Sequence, residues 1–144
     1  MRTNAAITIY NRYIDASTRT ERWQRSQILG VAWENRKASN VIASGGKISA
    51  DQATIFIPMP GKATYLDPIA WQDLRSGHWT LQIGDIIVKG LVSDTLQPAV
   101  VSPPQIAFTV SDLKAAHDYV QTISSVDPMD SGSYTMWHWK VGAV

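Results

Sequence analysis

The sequence predicts a mostly-β fold: a small β-barrel or sandwich of about seven short strands, with long loops and two short helices. Three observations predict it. Apolar and polar residues alternate in short runs along the chain, as in residues 5–14, where Ile7 and Ile9 share one face and Thr8 and Tyr10 the other. Glycine, proline and small polar residues punctuate these runs at close spacing. Helical spacing is confined to two brief stretches, near residues 67–74 and 111–119. The 144 residues suit a single domain spanning 1–144, and a hydrophobic fraction of 44% can fill one core.

The elements follow in order. Residues 5–14 read as a strand and 15–20 as a turn. A second strand covers about 21–36, where Trp23, Ile28, Val31 and Trp33 stand in a polar background and Gly30 breaks their phase, as a β-bulge would. Residues 39–50 are small, flexible and carry one charge, so a long loop is expected there. A strand at 53–57 stops at Pro58. Asp67-Pro68 is a helix start, with Asp67 as N-cap and Pro68 in the first turn, and Gly77 lies near its end. Gly84-Asp85 sits between two apolar runs in 79–92 and predicts a two-residue hairpin. Residues 97–104 contain three prolines and form a connection. Residues 106–110 read as a short strand, 111–119 as a helix capped by Ser111, and 120–126 as a strand. A turn-rich loop at 127–133 leads to a closing strand at 134–141, in which Trp137 and Trp139 share a face, first as core residues, with a protein-binding face and then a base-stacking platform as the alternatives.

Composition narrows function. Thirteen basic and twelve acidic residues leave a net charge of +1, although Arg12, Arg19, Arg22, Arg25, Arg36 and Lys37 concentrate positive charge in the first quarter. That balance argues against nucleic-acid binding as the dominant activity. With no cysteine, disulfides, thiolate metal sites and cysteine nucleophiles are excluded. Residues 1–8 lack an apolar leader core and no apolar run approaches a membrane span, so neither a signal peptide nor a membrane partner is expected. Six tryptophans suit both a core and protein interfaces.

Catalytic patterns do not emerge. Gly45-Gly46-Lys47 fails as a phosphate loop, because Val41 and Ile48 stand where Gly and Ser or Thr are required. His78, His117 and His138 form no metal-ligand spacing, and no GxSxG elbow is present. Asp127 and Asp130 flank Pro128-Met129, where turn formation explains them. No cofactor is expected, and the chain reads as a structural domain acting through protein contacts, not an enzyme.

The ordered strings Ile7-Thr8-Ile9-Tyr10-Asn11-Arg12-Tyr13-Ile14-Asp15, Trp23-Gln24-Arg25 and Gly30-Val31-Ala32-Trp33 resemble the opening of small head–tail connector proteins of tailed bacteriophages. These form the stopper or head-completion class, often labelled minor capsid proteins. Thr54-Ile55-Phe56-Ile57-Pro58, Gly84-Asp85-Ile86-Ile87-Val88-Lys89-Gly90 and His138-Trp139-Lys140-Val141 extend the likeness over nearly the whole chain. The resemblance implies a small β-barrel in a homo-oligomeric ring, six- or twelvefold, set in the virion neck between portal or adaptor and tail proteins, close to packaged DNA. It also implies a loop that closes the channel. Ser39, Asn40, Val41, Ile42, Ala43, Ser44, Gly45, Gly46 and Lys47 are the candidates for that loop, and Trp23, Arg25 and Arg36 for interfaces. A tail terminator, and a ligand-binding β-barrel unrelated to viruses, are the alternatives.

Overall fold

The structure, a computed structural model, describes residues 3–17, 19–41, 47–96 and 109–144, with the backbone alone over 36–41 and 47–51. Six antiparallel strands close on themselves in the order β1-β2-β3-β6-β5-β4. They are β1 (Ala5–Ile14), β2 (Glu21–Val41), β3 (Lys47–Pro58), β4 (Ile86–Lys89), β5 (Val120–Met129) and β6 (His138–Ala143). Two short helices, α1 (Pro68–Asp73) and α2 (Val110–Ala116), flank them. The mostly-β prediction holds, with six strands among the described residues.

Alternation builds the interior. Ile7 and Ile9 of β1, Val31 and Trp33 of β2, Ile55 and Ile57 of β3, Ile87 of β4, Ile123 of β5 and Trp139 and Val141 of β6 meet inside the barrel. Each fully buried aliphatic side chain contributes about 1.5–3 kcal/mol. The outer face of β1 is buried too: Tyr10 joins Ile86, Val88, Val92, Leu96 and Leu113 of α2 in a second cluster. Side chains tie the 90–96 segment down over this face. The Thr8 hydroxyl donates to the Gly90 carbonyl at 2.8 Å, Tyr10 Oη to the Asp94 carbonyl at 2.6 Å, and Gln27 Nε2 to the Val92 carbonyl at 3.0 Å. The bulge expected at Gly30 is present. The β1–β2 register slips between Ala5↔Val31 and Ile7↔Ile28, and Gly30 takes φ +70°, a left-handed conformation that glycine adopts at little cost.

Several sequence expectations are corrected. Residues 39–41 and 47–50 are not part of a loop. They are strand, with Ser39 opposite Ser49 and Val41 opposite Lys47. Small polar residues lack the alternation that marks a strand, but their backbone groups pair all the same. Residues 42–46 of the predicted channel loop lie outside the described residues, as do residues 97–104 and 106–108. The 79–92 hairpin does not form. Gly84 does turn the chain, at φ +95°, but β4 pairs with β1 and β5, not with residues 79–83. Asn11 takes the place of a strand partner for Thr80, accepting from its N–H at 3.2 Å and donating to its carbonyl at 2.7 Å.

Helix α2 begins at Val110 with Thr109, not Ser111, as its N-cap, and the Thr109 N–H donates to Asp112 Oδ2 at 2.8 Å. Strand β5 continues through Pro128, opposite Trp139. That is tolerated because β4 covers only Val120–Thr122, so the proline's missing N–H faces no neighbouring strand. Tyr134–Met136 form a 3-10 turn ahead of β6. Trp139 is therefore core, whereas Trp137 precedes the strand, with its indole N–H on the Gly132 carbonyl at 3.1 Å.

Candidate functional site

Three features stand out on the barrel. The first is the β2–β3 hairpin. Strand β1 reaches β2 only as far as Val31, and β6 reaches β3 only from Ala53 onward. From Arg36↔Gln52 to Val41↔Lys47 the two strands pair with each other alone among the described residues. Six residues per strand make a two-stranded ribbon about 20 Å long at ~3.4 Å per residue. It springs from a braced root: the Asn4 carboxamide clasps Trp33, accepting from its N–H at 2.9 Å and donating to its carbonyl at 3.3 Å. The described positions of the candidate channel loop, Ser39, Asn40, Val41 and Lys47, lie at the far end of this ribbon.

The candidate interface residues are distributed differently. Trp23 and Arg25 lie on the outer face of β2, opposite Arg12 and Tyr10 of β1. Trp23 is half-buried against the second core cluster. Arg25 is exposed, and its guanidinium donates to the Ser93 carbonyl, helping to fasten the 90–96 segment. Arg36 sits at the root of the ribbon, opposite Gln52. Eleven residues of strand separate Arg36 from Arg25, about 35 Å at ~3.3 Å per residue, so the three do not form one patch.

The second feature is a buried polar cluster where the 79–85 segment crosses β1. Asp85 is 2% exposed and accepts from Asn11 Nδ2 at 2.8 Å, Gln82 Nε2 at 3.0 Å and the Arg12 N–H at 3.0 Å. Burial raises its carboxyl above the usual carboxylate range, although these donors pull the other way. With its acceptors engaged by protein donors, Asp85 is an anchor.

The third feature is a cleft of about 400 Å³ beside α1, lined by Tyr65, Asp67, Pro68, Leu81, Ile83, Val126, Pro128 and Trp139. Tyr65 and Trp139 pack with ring centroids 4.2 Å apart, and Trp79 meets them edge-on at 5.1 Å and 5.8 Å. The Trp79 indole donates to Thr64 Oγ1 at 3.1 Å. Burial first, then the neighbouring Asp67 carboxylate, pushes the Tyr65 phenol up to about 12. The buried Thr80 hydroxyl also lies near that phenol, without a hydrogen bond of normal geometry.

The histidines are apart. His117 Nε2 pairs with Asp94 Oδ2 at 2.7 Å, tying the end of α2 to the 90–96 segment. His78 and His138 each face a backbone carbonyl two residues back, at 3.0 Å. Among the described residues no three His, Asp or Glu side chains are grouped to hold a metal ion.

Residues 2–144 match the family of unknown function DUF6751 over nearly the full sequence. The chain belongs to that family. No curated protein and no solved structure matches it.

Sequence reasoning placed Asp67 and Pro68 correctly at a helix start but missed the cleft. Its walls come from four separated segments that only barrel closure brings together. The one local signal was the density of aromatics around Tyr65, Trp79 and Trp139.

Proposed function

We propose that this chain is a non-catalytic ring subunit of the neck of a tailed bacteriophage, of the stopper or head-completion class. The observation that carries this reading is the β2–β3 ribbon. A subunit of a closed ring needs a rigid body that packs against its neighbours and an element long enough to leave that body and enter the channel. Here the body is the closed barrel and the element is a ribbon about 20 Å long. Residues 38–50 carry a single charge, Lys47, so a ribbon tip beside DNA would obstruct the channel without gripping phosphates. In this reading copies assemble in a ring between portal or adaptor and tail proteins in the virion, and no cofactor takes part.

The test is an early stop codon in this gene within its phage, with lysates imaged by electron microscopy. Free tails beside heads that have lost their DNA are expected. Filled heads beside overlong tails would reassign the chain to tail termination, and normal infectious particles would overturn a connector role. A narrower variant replaces residues 38–50 by Asn-Gly, which closes the ribbon at the paired positions Lys37 and Asp51. The barrel should fold and join particles, yet filled heads should leak.

A further inference from the structure

The cleft beside α1 combines apolar walls with one charge. Leu81, Ile83, Val126, Pro128 and Pro68 supply aliphatic surface, while Tyr65 and Trp139 supply aromatic surface. Asp67 is the only lining residue charged at neutral pH. Its exposed carboxylate has the neighbouring Tyr65 phenol as a hydrogen-bond partner but is free of two others. Asp67 occupies the N-cap position of α1, where an aspartate ordinarily accepts from the helix N–H groups, but it makes no capping hydrogen bond. Nor does any lysine or arginine pair with it among the described residues. Apolar surface also continues outside the cleft: Ile83 is 72% exposed, and Ile69, next to Pro68, is 86% exposed.

We propose that this cleft docks an arginine side chain presented by a partner protein. The chemistry of the walls selects it. An aliphatic stem matches Leu81, Ile83 and Val126, and a planar guanidinium packs on aromatic surface and pairs with a carboxylate through two parallel N–H donors. A lysine ammonium is a compact, strongly hydrated point charge and gains less from an aromatic wall. A carboxylate or phosphate ligand would meet Asp67 with like charge and find no cation in the lining. The cleft falls within the range of ~300–1,000 Å³ typical of small-ligand sites, and so has room for one long side chain with an apolar neighbour. Exposed Ile83 and Ile69 are suited to receive that neighbour, as a rim around a buried anchor. None of this depends on the neck reading, since the same surface would serve any partner that offers an arginine.

The experiment titrates isotopically labelled protein with n-butylguanidinium, following backbone amides and indole N–H groups by NMR. n-Pentanol and valerate serve as neutral and anionic probes of similar length. Saturable shifts are expected for n-butylguanidinium at residues 65–68, 81–83 and 126–128 and at Trp139, and not for valerate. Asp67→Asn, which keeps an acceptor for the Tyr65 phenol, should weaken binding by about five- to tenfold, the loss of a charge-assisted pair, with the fold intact by its backbone amide shifts. Ile83→Ser, at an exposed position, should weaken it about threefold through lost apolar contact. Equal binding of n-pentanol would overturn the proposal in favour of a neutral apolar ligand. Indifference to Asp67→Asn, shifts centred elsewhere, or no saturable shift would overturn it outright.

Discussion

At the scale of single residues, Asn11 and Asp85 show how a polar pair can stand in for a strand. Among the described residues the 79–85 segment has no named strand pairing beyond the Tyr65–Trp79 bridge, with Gly84 and Asp85 bonded to the Ile123 backbone at its end, and Asn11 and Asp85 between them engage the backbone of Thr80 and Arg12. Removing the carboxylate leaves buried donors on Asn11 and Arg12 without acceptors, at about 1–3 kcal/mol each. Asp85→Ala should therefore lower unfolding stability by about 3 kcal/mol in urea titrations, and Asp85→Asn by less, since an amide keeps one acceptor. A loss below about 0.5 kcal/mol for the alanine variant would mean that the cluster is not an anchor. None of this was legible in the sequence, where Gly84-Asp85 signals a turn. The turn is there, but its aspartate is buried on β1, 73 residues away from Arg12, and no local pattern encodes such a contact. Asp67 shows the reverse case, since its position at a helix start was legible while the failure of its side chain to cap was not.

Among the elements, β1 and the first half of β2 were readable because alternation, a turn and a bulge glycine all pointed to one answer. Gly30 holds φ +70° with open space around its missing Cβ, so only backbone strain penalises a side chain there. Gly30→Ala should cost about 1–2 kcal/mol, read as a lower melting temperature with an unchanged far-UV spectrum. A neutral result would show that the bulge relaxes. The ribbon half of β2 was not readable. Its small residues mimic a loop, and what makes it a strand is the pairing of Arg36–Val41 with Lys47–Gln52. The 79–92 stretch failed for the opposite reason: both its runs are apolar, as in a hairpin, but one serves the barrel as a strand while the other seals the interior with Trp79 and Leu81. Apolar content reports burial without saying which element does the burying.

At the scale of the whole molecule, the described residues form two buried clusters, and each carries a tyrosine whose phenol is held up to about 12 from 10.0, chiefly by burial. Tyr10 sits beneath the 90–96 segment and Tyr65 in the aromatic cluster at the cleft. The unfolded chain releases both protons near pH 10, whereas the native state keeps them to about pH 12. Between these values the unfolded state binds fewer protons, so stability present in full below about pH 10 is lost as the pH rises towards 12. Urea midpoints followed by tryptophan fluorescence should fall over that window. Tyr10→Phe should flatten the fall and lose about 1 kcal/mol at neutral pH with the hydrogen bond to the Asp94 carbonyl. A midpoint that stays level to pH 12 would contradict the buried-phenol account.

Barrel closure also sets an order of events during synthesis. β3 has β6 as its second neighbour, so its free edge stays open until residues 138–143 have been made. β1 must likewise wait for β4, with Ile7 meeting Lys89 and Tyr10 meeting Ile86. A nascent chain thus carries a β1-β2-β3 meander whose β1 edge is uncovered until residues 86–89 are made and whose β3 edge is uncovered until residues 138–143 are made. Such edges recruit other strands, and pairings this distant in sequence form slowly. Yield in a foreign host should therefore depend on how quickly β6 arrives, more than on the stability of the finished barrel.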